Sequence, residues 1–69
     1  MTQAEYVEWM IRRRKRLRLS QRNLADRSGY PVSSISNWER KKSIPSFTAA
    51  LDLAQALDAA FILVPTTNR

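Results

Sequence analysis

The sequence contains no cysteine and no histidine. Without cysteine, no disulfide can staple a small fold, and without either residue the usual structural zinc sites have no ligands. The same absences remove Ser-His and Cys-His catalytic pairs. Clustered carboxylates are missing too, so the expectation is a protein that is not an enzyme and holds no cofactor. No run approaches the roughly 18 apolar residues needed to cross a membrane. The opening Met1-Thr2-Gln3-Ala4-Glu5 is polar and acidic, unlike a secretory signal. A cytoplasmic protein with no membrane partner is expected.

Acids are scarce relative to bases, and the imbalance is local. Through Pro45, eleven Lys and Arg stand against Glu5, Glu8, Asp26 and Glu39, a net +7. From Ser46 onward, Asp52 and Asp58 face only Arg69, a net −1. A basic front with a nearly neutral back suits a polyanion partner such as nucleic acid. The alternative is an ordinary solvated basic face. The 69 residues make one domain with a marginal core. With disulfide and zinc excluded, a second copy of the chain is the remaining staple.

The hydrophobic spacing predicts helices and one extended tail. Residues 4–18 read as a first helix, with Val7, Met10, Ile11 and Leu17 on one face. Arg14 lies on that same face, so it either snorkels out or pairs with a buried acid. Ser20 is a good N-cap for a second helix over 21–28, with Leu24 and Ala25 inward and Gly29 ending it. Tyr30-Pro31 forms a turn into a third helix that runs to about Arg40, with Ile35 and Trp38 inward. A basic loop follows, and Ser46 then opens a fourth helix to about Leu57. Its predicted inner face is Phe47, Ala50, Leu51, Ala54 and Leu57. Residues 60–65 are apolar and end in proline. Ile62 and Val64 favour a strand over one more helical turn. A lone strand cannot satisfy its own backbone hydrogen bonds, so its partner must come from another chain.

Two short helices joined by a tight turn with glycine are the helix-turn-helix pattern, here residues 21–40. Ala25 is small where the next helix crosses, Gly29 supplies the left-handed turn residue, and Ile35 and Trp38 plug the third helix into the core. The stretch from Val7 to Leu57 resembles the lambda-repressor/Cro-like, or XRE-type, family. The likeness is carried by Leu19-Ser20-Gln21, Leu24-Ala25, Gly29, Ile35-Ser36, Trp38-Glu39, Pro45-Ser46 and Leu53-Ala54-Gln55-Ala56-Leu57.

The resemblance implies an all-α bundle of four or five helices with the third in the major groove of double-stranded DNA. It implies that Arg14 pairs with Glu39 and serves the scaffold. It places Gln21 and Arg22 at the phosphates and Val32, Ser33 and Asn37 at base edges. Ser34 and Ser36 would lie near the DNA backbone, or else are plain helix-surface polarity. Arg40, Lys41 and Lys42 would grip phosphates; Arg12, Arg13 and Lys15 either do so or are solvated. Two departures from the family pattern stand out. Lys41 stands where glycine is usual, so a left-handed residue there would cost roughly 1 kcal/mol. Pro31 and Val32 replace polar residues, which leaves less direct readout and more dependence on DNA shape.

The tail, Phe61, Ile62, Leu63 and Val64, resembles that of HipB-type antitoxins, in which strands of two subunits pair and hold a dimer. The alternative is that Phe61 and Leu63 fold back on a monomer's core. The expected function is a transcriptional repressor, homodimeric on a palindromic operator, or alternatively an antitoxin that also binds a cognate toxin.

Overall fold

The computed structural model describes residues 1–66, and among these residues four helices form: α1, Gln3–Arg16; α2, Gln21–Ser28; α3, Val32–Glu39; and α4, Phe47–Ala56. Side-chain oxygens start three of them. The Thr2 hydroxyl accepts from the Glu5 N–H at 3.1 Å, and the Glu5 carboxylate accepts from the Thr2 N–H at 2.7 Å. That reciprocal cap holds the Glu5 carboxyl below the usual carboxylate range. Ser20 and Asn23 repeat the arrangement at α2, and the Ser46 hydroxyl caps α4 through the Ala49 N–H.

The helix ends follow one rule. After α1, α3 and α4 a non-glycine residue takes a left-handed backbone: Arg18 (φ 60°), Lys41 (φ 62°) and Asp58 (φ 57°). In each case the next N–H reaches back to a carbonyl of the last turn, as from Lys42 to Asn37 at 2.9 Å, the six-to-one closure of a Schellman motif. Lys41 thus adopts the shape that glycine would take more easily. Gly29 (φ 82°) closes α2, and a Cβ there would meet nothing within 4 Å, so the backbone angle alone favours glycine.

The core gathers Val7 and Met10 of α1, Leu24 and Ala25 of α2, Ile35 and Trp38 of α3, and Leu53 and Leu57 from α4 and its end. Two sequence expectations need correction. On α4 the buried residues are Ala49, Ala50, Leu53 and Ala54, while Phe47 is 74% exposed and Leu51 only half-buried. The apolar arc of α4 is wide enough to allow either rotation. In the rotation adopted, the small Ala49 and Ala50 are buried, and the Tyr6 hydroxyl of α1 donates to the Ala50 carbonyl at 2.7 Å. Tyr6 is therefore buried beside Val7, and Ile11 and Leu17 are left at the margin.

The second correction concerns residues 60–65. In the single chain they form neither helix nor strand. No second strand exists among the described residues, so the backbone has no ladder to join. Phe61 folds back and stacks on Tyr6, with ring centroids 5.9 Å apart, whereas Leu63 is 94% exposed.

Burial pushes the Tyr6 phenol from its ordinary 10 up to about 12. The folded state therefore holds its proton more tightly than the unfolded chain. The stabilisation this contributes is complete below pH 10 and is lost as pH rises through about 12. Tyr6→Phe is expected to lose about 1 kcal/mol at pH 7 with the hydrogen bond to Ala50, and to show a shallower loss above pH 10. Urea midpoints of both proteins between about pH 8 and 12 check this; parallel curves contradict it.

Candidate nucleic-acid interface

An eight-residue helix with Ile35 and Trp38 buried must present its other side outward. At helical spacing, Ser33, Ser36, Asn37 and Arg40 fall on that outward side. Ser33 and Arg40 are exposed, and Ser36 and Asn37 half-buried. Val32 does not join them cleanly, because it packs partly against the core at the edge of the stripe. Ser34 lies at the opposite edge, half-buried. The readable face is thus a polar strip with one arginine at its end.

α3 is held to the rest of the protein at both ends. At its start, the Tyr30 hydroxyl donates to Asp52 Oδ2 on α4 at 2.7 Å, and its ring meets Trp38 edge-on with centroids 5.6 Å apart. The hydrogen bond to Asp52 raises the pKa of the phenol. At its end, Glu39 receives Arg14 Nε on one oxygen at 2.7 Å, and Arg14 Nη2 and Gln21 Nε2 on the other, both at 2.9 Å. Arg14 Nη1 also donates to the Leu19 carbonyl at 2.8 Å. The Arg14 and Glu39 side chains are only 11% and 7% exposed. Among the described residues, no buried side-chain nitrogen or oxygen lacks a hydrogen-bond partner.

Gln21 accordingly serves the scaffold through one N–H of its amide. An amide carries two such donors, so the second remains for a phosphate. The Asn37 amide oxygen accepts from Arg40 Nη2 at 3.2 Å. Bidentate pairing with adenine uses both amide atoms, and the two lone pairs of the amide oxygen leave it able to accept a second donor while Arg40 stays bound. Lys41 Nζ lies 3.4 Å from Glu8, an exposed ion pair of small worth. Arg22 and Lys42 are exposed, as are Arg12 and Lys15. Arg13 is engaged elsewhere: its Nε donates to the Leu57 carbonyl at 2.8 Å and its Nη2 to that of Asp58 at 3.3 Å, capping the end of α4.

The sequence reasoning missed Tyr30, Asp52 and this role of Arg13. Each depends on a pairing 22 or more residues apart in the chain, which no local pattern displays. The bidentate contact of Arg14 with Glu39 had two sequence signals, an arginine set on an apolar face and the family resemblance, which implied Glu39 as its partner.

Two short helices, α2 and α3, joined by a tight turn at Gly29 and followed by a cationic loop, make a helix-turn-helix. A family model described as helix-turn-helix matches residues 10–61. The chain belongs to that family, in its Cro/C1 or XRE type, and is a DNA-binding regulator of that type. Comparison with curated proteins and with solved structures returns no match. No helix among the described residues is long and apolar enough to cross a membrane.

Removing Arg14 leaves the Glu39 carboxylate buried beside Gln21 alone. Arg14→Ala is expected to cost about 3–5 kcal/mol, enough to unfold much of a domain this small. Thermal melting checks this; an unchanged melting temperature with weakened DNA binding would show that Arg14 is a DNA contact instead. On the outward face, Asn37→Ala is expected to cost about 1–3 kcal/mol on the preferred duplex and to relax preference at one base pair. Lys42→Ala should weaken all duplexes alike and lower the salt slope by about one. Titrations of matched and mismatched duplexes at several salt concentrations separate the two effects. Uniform losses for both variants would remove Asn37 as a reader.

Proposed function

We propose that this protein represses transcription by occupying a palindromic operator as a homodimer, acting by binding and not by catalysis. The reading rests above all on the braced outward strip of Ser33, Ser36, Asn37 and Arg40. These residues offer serine and amide hydrogen bonds to base edges. Arg22, Arg40, Lys41, Lys42 and Gln21 supply donors for phosphates, contacts that position a protein without reading sequence. With Val32 turned partly into the core, few side chains read bases directly, and DNA shape contributes to selection.

The exposed side chains of Ile62, Leu63 and Val64 support the homodimer. They support equally a second reading, an antitoxin that autoregulates its promoter and holds its toxin by the tail; a toxin gene beside this one would favour it.

Selection of bound sites from random duplex DNA tests the proposal. The expected product is an inverted repeat with half-sites about 34 Å apart or a multiple of it. Failure to enrich any sequence would defeat sequence-specific repression, and enrichment of an isolated half-site would defeat the dimer.

A further inference from the structure

Four aromatic residues outside the recognition unit form a row across one face. Between ring centroids, Trp9 lies 5.7 Å from Tyr6, Tyr6 lies 5.9 Å from Phe61, and Phe61 lies 6.3 Å from Phe47. A cleft of about 300 Å³ opens along this row, walled by Tyr6, Ile44, Phe47, Ala50 and Phe61. No side chain lining it is charged, in a protein of net charge +6. None of the residues assigned to DNA lines it.

We infer that this cleft is the seat for the tail of a second copy of the chain, with the partner's Leu63 as the inserted side chain. The inference rests on the homodimer proposed above and specifies its contact. Three observations select a second copy as the occupant. First, the knob and the hole lie on one chain. Leu63, Ile62 and Val64 are 94%, 81% and 75% exposed, and they leave directly from Phe61, which forms part of the cleft wall. A patch that carries both is self-complementary, as a two-fold interface requires. Second, the area suffices. At roughly 150–200 Å² for a large side chain, the exposed part of this face from Met1, Ile44 and Phe47 through the tail is on the order of 900 Å². Each partner in a standard interface contributes about 800 Å². Third, charge favours it. Two copies this basic repel through their fronts, and a face without charged side chains, where the Met1 ammonium is the one cation lining the cleft, lets them meet with less repulsion.

The absence of cysteine makes a direct test clean. Phe47→Cys and Leu63→Cys proteins, one carrying a mass tag, are mixed under mild oxidation. The expected result is a disulfide between the two different chains, with little product from either protein alone. In parallel, Phe47→Asp and Leu63→Asp alter exposed positions, and each is expected to sediment as a monomer where the parent is a dimer. Each should also lose about 100-fold or more in affinity for a two-half-site operator, as avidity is lost. A monomeric parent at micromolar concentration overturns the inference, as does a dimeric parent that yields no mixed disulfide. Monomeric Leu63→Asp with dimeric Phe47→Asp overturns it as well, because the tails would then pair without the cleft. Binding of monomeric Leu63→Asp to a single half-site is measured separately. That readout can fail while the mixed disulfide forms, which would discard the DNA reading and keep the interface.

Discussion

The buried pair of Arg14 and Glu39 joins α1, the residue before the α2 cap, the first turn of α2 and the last residue of α3 in one hydrogen-bonded cluster. Its electrostatics explain why both members are needed. A carboxylate at the C-terminal end of a helix opposes the helix dipole, and Glu39 closes α3. Arg14 lies in the last turn of α1, where a cation is favoured. Each charge would be costly to bury alone, and together they leave no buried polar side-chain atom without a partner among the described residues. An apolar pair of similar volume could match this in stability. What apolar packing lacks is direction. Two parallel N–H donors from a planar guanidinium fix the angle at which α3 leaves the bundle.

The rest of the recognition unit depends on that angle. Arg40 and Lys41 follow Glu39 directly, so the cluster also fixes where the basic loop begins. Tyr30 and Asp52 do the same at the other end of α3, with a neutral donor in place of a cation. The outward strip between these anchors has little freedom to tilt. A reading face of small polar side chains benefits from such bracing, because short side chains cannot compensate for a misplaced backbone.

Much of this was legible in the sequence. Ser20 and Gly29 bound α2 as expected, and Ile35 and Trp38 plug α3 inward, because these positions obey local rules of capping, turn geometry and period. Arg14 announced itself by standing on an apolar face. The misreadings and omissions share one physical cause. The rotation of α4, the inward turn of Tyr6 and the use of Arg13 as a cap all depend on which surface approaches from far along the chain. Where a helix is apolar over a wide arc, as α4 is, the period leaves its rotation open and tertiary contacts decide. The tail was read as a strand from its composition and its resemblance to HipB-type tails, and a strand is a property of two segments rather than one.

The left-handed residues show how narrow the margin is. Arg18, Lys41 and Asp58 each take a conformation costing about 1–2 kcal/mol that a glycine would avoid. A core of this size supplies only about 3–5 kcal/mol of net stability. At Lys41 the proposed function gives the cost a counterpart, since glycine would bring no ammonium to the basic loop. The Asp58 carboxylate makes only an exposed ion pair with Arg27 at 3.8 Å. Asp58 instead closes the helix whose last carbonyls Arg13 caps, and it directs the chain back toward Tyr6 and Phe61. The strain at that corner therefore goes into placing the tail. In a chain with no cysteine and no histidine, the proposed burial of that apolar face against a second copy would recover stability that its corners give up.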